Sequence, residues 1–434
     1  MDSKKVLTKV KHFIQGLFLA IIFFLILAGS LFLWWAVRPS TYRVNDRLKF
    51  SSWVAVSNGR HNANTDLIYW NGYYYFIYAN QPGNQGSTTT FLSLNRGTDL
   101  HTWTHIMDMR VPGEDIRDPK FAPINGQLFI YYLKNTGFIA DPYGTAFVNS
   151  SDGLTWSEPR DVPNQQGWLF WRPKSIDNIT WYTTGYWFEK GQCCLLSTTD
   201  GVNWTKVSQV TGASMTPGSD EAELVILNDK RILITIRVEV QKDSVFGDVN
   251  AGTGLAIAAP PYTSWNYTLE KVTRLDGPNL FRLNDTSNVT RYFALGRFQP
   301  DVDNMFTGTG SIFSRKRTSL FEFKNLSGKP SMMYISDLPS SGDTAYGGVI
   351  IQGDRIYMCY YTCDTTKDYA WALGMFLPSD IIMVNMSIAS LFDAAAHPLS
   401  PEITVPWDNY IIVGANAGFV FVVIFWLVRK HSKR

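Results

Sequence analysis

Six times between residues 50 and 400, a polar or glycine-containing turn is set against a run of aromatic and aliphatic residues. The turns are Asn71-Gly72, Asn125-Gly126, Asp177-Asn178, Asn228-Asp229, Asn288 to Thr290 and Gly353-Asp354, and the runs that follow include 73–78, 128–133 and 356–361. Asn and Gly supply the positive φ that tight hairpins require, while aromatic and branched side chains fit a pleated surface. Successive turns lie roughly 50 residues apart at first and about 60 to 65 later, the size of a four-stranded propeller blade. One such sheet cannot bury both of its faces. The pattern therefore predicts an all-β fold, a six-bladed β-propeller with a central cleft, spanning 44–392. Closing that ring requires 48–56 to pair with late strands around 372–384.

The two ends of the chain read differently. Residues 13–37 are an apolar stretch preceded by Lys4, Lys5, Lys9 and Lys11, long enough to cross a bilayer of about 30 Å. Its length and the Trp34-Trp35 end favour a retained anchor over a cleaved signal peptide. A second apolar stretch, 410–428, is closed by Arg429, Lys430, His431, Lys433 and Arg434. The sequence thus predicts a propeller flanked by two transmembrane helices. Basic tails at 1–12 and 429–434 place both termini in the cytoplasm, and a proline-containing stalk at 393–409 returns the chain to the bilayer. Everything between the spans is then extracellular or lumenal. The oligomeric state stays open, although Gly414 and Gly418 offer a surface on which spans can pair.

Asn149, Asn178, Asn203, Asn266, Asn284, Asn288, Asn325 and Asn385 each begin an Asn-X-Ser/Thr sequon without proline, which suits N-glycosylation on that side. The four cysteines, Cys193, Cys194, Cys359 and Cys363, suit either disulfides of undeducible pairing or free buried thiols. A net charge of +2, with no basic stripe in the repeats, argues against a nucleic-acid partner. The six histidines are dispersed, so neither a metal site nor any other cofactor is expected. Gly252-Thr253-Gly254 lacks the lysine of a phosphate loop and reads as a plain loop.

Asp99-Leu-His-Thr-Trp103, Asp152-Gly-Leu-Thr-Trp156 and Asp200-Gly-Val-Asn-Trp204 place an Asp four residues before a Trp. The Asp can accept from the amides of its own turn while the Trp packs between sheets. These segments resemble the Asp-box of the sialidase (neuraminidase) superfamily, one residue shorter than its commonest form. Arg117-Asp118-Pro119 resembles that family's Arg-Ile-Pro motif, with Asp in place of Ile, as in a bacterial group of sialidase-like proteins that 61–67, from His61 to Leu67, also resembles. Asp220-Glu221 followed by Arg237 is similar to the family's Asn-Glu pair and second arginine. Gly277-Pro278-Asn279 with Arg297 resembles the segment carrying the third arginine, and Asp343-Thr344-Ala345-Tyr346 the segment carrying the nucleophilic tyrosine. The resemblance covers about 50–375.

It implies an exo-acting glycosidase that removes sialic acid or a related acidic sugar from glycoconjugates. Three guanidiniums suit a sugar carboxylate because each binds in a fork and stays charged. A tyrosine suits an anomeric carbon that already bears a negative group, from which a carboxylate nucleophile would be repelled. By resemblance, Arg117, Arg237 and Arg297 bind the carboxylate, Tyr346 attacks and Glu221 takes its proton. The acid/base is Asp141, with Asp118 and Asp66 as rivals. His61, Asp66, Asn279 and Asp343 join the arginines as substrate-binding candidates. Glu223 competes with Glu221, since both share a face of an extended strand, and Tyr346 competes with an ordinary core tyrosine.

One departure bears on activity: where the family often places a Glu that supports the first arginine, this chain reads Tyr360-Tyr361-Thr362. Two other classes stay open. One is a non-catalytic glycan-binding or surface-structural propeller that keeps the arginines. The other is a neutral-sugar glycoside hydrolase of the five-bladed kind, suggested by Asn64-Thr65-Asp66 and Arg117-Asp118-Pro119 and opposed by six repeats.

Overall fold

The computed structural model describes residues 3–135, 143–212, 218–239, 247–248, 250–285, 287–300, 310–401, 418 and 421–422. It divides into two units, Met1–Pro39 with Thr404–Arg434, and Ser40–Ile403. In the first unit the helix Ser3–Ala36 contains Lys5–Ser30, a segment long and apolar enough to cross a membrane. Phe18, Leu19, Leu25 and Ile26 are 62–64% exposed, a surface that suits lipid rather than water. The second expected span, 410–428, falls almost wholly outside the described residues.

The second unit is a six-bladed propeller. Blade 1 is His61–Trp70, Tyr73–Gln81, Phe91–Gly97 and Thr104–Met109, each strand antiparallel to the next. Blade 2 runs from Ile116–Ile124 to Arg160–Asp161, blade 3 from Leu169–Phe170 to Thr205–Thr211, blade 4 from Ser219–Ile226 to Asn266–Glu270 and blade 5 from Asp276–Asn284 to Ser331–Leu338. Blade 6 begins with Thr344–Gln352, Arg355–Thr362 and Asp380–Ser387. Its outermost strand is Phe50–Val56, from the other end of the unit, in register from Phe50 opposite Met386 to Val56 opposite Ile381. The ring closes by this shared blade, with 50–56 as expected and a partner strand that overlaps the expected late segment and runs on to Ser387. All six expected turns lie between the first and second strands of their blades.

The core lies between blades. Phe129 and Tyr131 of blade 2 pack with Phe170, Trp181 and Trp204 of blade 3. Leu195 of blade 3 packs with Leu224 and Ile234 of blade 4, and Leu233 with Phe321 and Tyr334 of blade 5. Phe293 packs with Met358 of blade 6, Met383 with Phe76 of blade 1, and Ile77 with Ile130 of blade 2. Every blade thus buries apolar side chains against its neighbours, worth roughly 25 cal/mol per Å² of apolar area removed from water.

Four outer turns share one hydrogen-bond pattern. Asp99, Asp152, Asp177 and Asp200 each accept from the amides two and three residues on, at 2.6–2.9 Å. Asp177, four residues before Trp181, repeats the spacing of the three turns singled out above. These bonds hold the carboxyls of Asp152 and Asp200 down to about 2, against the burial of Asp200.

Two local expectations are corrected. Gly252–Ala258 is a buried strand of blade 4, not a loop, because its glycines fit under the Leu269 and Tyr267 side chains of the next strand. The stalk does not start at 393: a helix, Ile388–Ala396, capped by the Ser387 hydroxyl accepting from the Ser390 amide, buries Leu391, Ala394 and Ala395. All four cysteines are free and buried.

Candidate active site

In an up-and-down blade the start of the first strand and the end of the second meet at one end of the propeller. Residues of six blades therefore converge around the axis there. At this end the inner strands are all irregular. Register skips occur at Ala63/Asp66, Arg117/Lys120, Ser219/Ala222, Asp276/Asn279 and Ala345/Gly348. In blade 3 the inner strand is split into Leu169–Phe170 and Lys174–Ser175 by Trp171, Arg172 and Pro173. A bulge turns side chains out of the ladder. Its cost is visible in Asn64, Asp118 and Tyr346, which hold φ of +51°, +52° and +49°, joined by Ala345 at +90°. Such strain persists only where the surroundings over-determine it.

The bulges of blades 4, 5 and 6 form one contact. The Tyr346 hydroxyl donates to Glu221 Oε1 at 2.5 Å, and Arg237 donates to the same oxygen at 2.9 Å. Glu221 Oε2 accepts the Gly277 amide at 2.7 Å. Gly277, at φ +56°, has no room for a side chain, because a Cβ there would lie 2.5 Å from Tyr346 Cγ. The Arg297 guanidinium lies 4.8 Å from the centre of the Tyr346 ring.

Burial pushes the Glu221 carboxyl up to about 7; Arg237 opposes this, but Asp220, Asp276 and Asp118 add to it. One guanidinium shared among Asp220, Glu221, Glu239 and Asp276 cannot neutralise them all. Burial and the Glu221 charge likewise hold the Tyr346 phenol well above its ordinary range, against Arg297 and Arg237.

Each arginine is braced by carboxylates. Arg117 Nε donates to Asp115 Oδ2 at 2.8 Å, its Nη2 lies 2.7 Å from the same oxygen, and Asn84 accepts from Nη1 at 3.3 Å. Asp115 thus supplies the support expected, and lacking, at Tyr360-Tyr361-Thr362. Glu239 accepts from both Arg237 and Arg274, and Arg274 forms a fork with Asp276 at 2.8 Å. Arg297 donates to Asp343 at 2.7 Å and to the Tyr361 hydroxyl at 2.9 Å. Arg117, Arg237 and Arg297 are all side chains with little solvent contact.

The other candidates take different positions. Asp118 accepts from Asn64 Nδ2 at 2.5 Å and its charge acts on both Glu221 and Arg117. Asp141 lies outside the described residues. Asp66 is engaged on both oxygens: one accepts from Arg172 at 2.9 Å, the other from the Phe121 amide at 2.8 Å. Glu223 belongs to the same buried group, with Arg172 and Lys174. His61, Asn279 and Asp343 are tied into the surroundings of the site. His61 Nε2 lies 3.2 Å from Asp343, whose carboxylate also accepts from Asn84 and Trp371, and Asn279 donates to the Gly347 carbonyl beside Tyr346. Arg297 and the His61 contact hold Asp343 at about 2 despite burial. Among the described residues no group of three or more His, Cys, Asp or Glu is arranged to hold a metal ion.

Asp115, Glu239, Arg274 and Asp276 were not singled out by sequence. Their signal is the alternation Asp115-X-Arg117, Arg237-X-Glu239 and Arg274-X-Asp276, opposite charges two apart on one face of a strand end. The arrangement offers a phenol hydrogen-bonded to a carboxylate of raised proton affinity, ringed by charged guanidiniums.

No family model and no curated protein matches the sequence. Solved structures do. Phage phi92 endosialidase aligns with a TM-score of 0.56 at 10% identity, covering 79% of this chain and 69% of its own. Trypanosoma rangeli sialidase aligns at 0.54 and 10%, covering 82% and 60%, so less than two thirds of that protein is spanned. A Hadza microbial sialidase aligns at 0.50 and 12%, covering 76% and 66%. At such identities the likeness is one of architecture, and in architecture this chain is a six-bladed propeller of the sialidase kind.

Proposed function

We propose that this chain is a membrane-anchored exo-glycosidase that hydrolyses a terminal sialic acid, or a related 2-keto-3-deoxy acid sugar, from glycoconjugates with retention of configuration. The observation that carries this reading is the Tyr346–Glu221 hydrogen bond, with Arg237 on the same carboxylate oxygen and Arg297 over the phenol ring. Arg117, Arg237 and Arg297 bind the sugar carboxylate. The Tyr346 oxygen attacks the anomeric carbon as its proton passes to Glu221, and the bond to the leaving oxygen breaks as an aspartic acid protonates that oxygen. Water then displaces the tyrosine, giving a proton to the same aspartate, while Glu221 returns its own to the phenol. By resemblance Asp141 takes the acid role, with Asp118, which accepts from Asn64, as its rival.

The apolar helix serves as a retained anchor with its lysine-rich start in the cytoplasm, and the propeller lies on the extracellular or lumenal side. A second span at 410–428 completes the tether. The alternative, a glycan-binding propeller without turnover, is favoured by one observation: Glu239 occupies both Nε and Nη2 of Arg237. Fluorophore release from a 2-keto-3-deoxy acid glycoside by the detergent-solubilised full chain separates the two. Turnover lost in Tyr346→Phe supports the enzyme, and a folded but inert wild type across several acidic sugars supports the binder.

A further inference from the structure

The sequons are not scattered over the propeller. Asn178 and Asn203 sit in turns of blade 3, Asn284 and Asn288 in the first hairpin of blade 5, and Asn325 in its last. Asn266 opens the outer strand of blade 4, Asn149 nearly closes the third strand of blade 2, and Asn385 nearly closes that of blade 6. All eight therefore lie toward the hairpin end, opposite the end where Tyr346, Glu221 and the arginines converge. Bonds between neighbouring blades show that these hairpins share one end: Asn125 Nδ2 donates to the Thr199 carbonyl at 2.6 Å, and the Asn228 amide to the Tyr292 hydroxyl at 2.8 Å.

The site end is not poor in asparagine. Asn58, Asn62, Asn64, Asn80, Asn84 and Asn279 lie there, yet none is followed two residues on by Ser or Thr. Turn chemistry enriches asparagine at both ends. It does not explain why only one end completes the acceptor triplet.

Six of the eight, Asn178, Asn203, Asn266, Asn284, Asn288 and Asn325, are exposed. Asn149 and Asn385 are half-buried, and their side-chain oxygens accept from Arg160 at 2.7 Å and Arg355 at 2.8 Å. We infer that the hairpin end of the propeller is an N-glycosylated face, modified at the six exposed asparagines, while the site end stays bare. A bulky, hydrated glycan on that face leaves the approach of a macromolecular glycoconjugate to the opposite end unobstructed.

The inference rests on the lumenal placement proposed above and not on catalysis. Its test is site mapping on the wild-type full chain made in a eukaryotic secretory cell, with peptide N-glycosidase release in heavy-oxygen water and mass spectrometry of the peptides. Heavy-oxygen aspartate at the six positions, and one gel step lost for each Asn→Gln change there, are expected. A chain whose mobility the glycosidase does not alter, or one modified only at Asn149 and Asn385, overturns it. Glycans without turnover would count against the enzyme alone; turnover without glycans would count against the glycosylated face alone.

Discussion

The Tyr346 hydroxyl donates to Glu221 Oε1 at 2.5 Å across 125 residues of sequence, joining the bulge of blade 6 to that of blade 4. On the proposed mechanism this carboxylate takes the phenol proton as the oxygen attacks. Tyr346→Phe keeps the ring, its packing on Gly277 and the Arg297 contact while deleting the reacting atom. We expect turnover to be abolished with the melting temperature little changed. Glu221→Gln keeps an acceptor but not a base, and a fall in kcat on the order of 10² to 10⁴ is expected. Initial rates beside near-ultraviolet circular dichroism check both.

The pH dependence has a definite sign. Glu221, pushed up to about 7, carries a proton below that value and cannot accept another. The rate should therefore rise with pH through about 7. Stability should move the other way. The folded state holds this proton more tightly than the unfolded chain does, so between the ordinary carboxyl range near 4.5 and about 7, ionising Glu221 progressively weakens the fold. Glu221→Gln should lose that slope in urea melts. A wild-type rate that falls across pH 6 to 8 would remove Glu221 as the base.

A methyl at position 277 tests how tightly the tyrosine is held. Gly277→Ala would place its Cβ 2.5 Å from Tyr346 Cγ on a backbone at φ +56°, where a side chain costs about 1–2 kcal/mol before the clash. The ring must move off Glu221. We expect a kcat loss approaching that of Tyr346→Phe, with a KM change of smaller size, read from saturation curves.

Much of this arrangement was legible in the sequence, and the limits were physical. The turn pattern located the first hairpins because an Asn or Gly takes the positive φ there in five of the six blades, with Lys230 taking it in blade 4. Tyr346, Glu221, Arg117, Arg237 and Arg297 drew attention because each lies near the start of a first strand or the end of a second, where the blades converge. Asp115, Glu239 and Arg274 escaped because a charge two residues from a strand end ordinarily faces water, and only the neighbouring blades bury these. Asp66 and Asn279 kept their partners hidden from the sequence for the converse reason. They lie in motif segments, but their partners Arg172 and Gly347 come from other blades. The bulges left a trace in Pro119, Pro173 and Pro278, which follow the displaced residues of blades 2, 3 and 5.

Asp115 tests whether Arg117 is a substrate ligand. Asp115→Ala leaves a buried guanidinium without its carboxylate partner, a loss that costs roughly 3–5 kcal/mol in comparable buried pairs. Asp115→Asn keeps one acceptor and should fold nearly as well, while Arg117 gains freedom to leave its position. If Arg117 holds the sugar carboxylate, Asp115→Asn should raise KM about tenfold or more, the equivalent of about 1.4 kcal/mol, and leave the acidic limb of the pH profile in place. A merely structural Asp115 would lower the amount of folded protein without moving KM.

The inter-blade core can be tested apart from the site. Trp204, 5% exposed, packs edge-on against Tyr131 and Phe170 at the boundary of blades 2 and 3, far along the blade from the axis. Trp204→Ala should cost about 3–5 kcal/mol, because the cavity is walled by two sheets that cannot both collapse into it. The contact also contains the Gly201 carbonyl, which accepts from the Tyr131 hydroxyl at 2.5 Å and from Trp204 Nε1 at 3.3 Å. Removing the indole therefore loosens the Asp200 turn as well as the core. Chemical denaturation should show the lost stability, while kcat per folded molecule should match wild type, since no residue of the Tyr346–Glu221 contact touches this boundary. A change in kcat would mean that blade packing is transmitted to the axis.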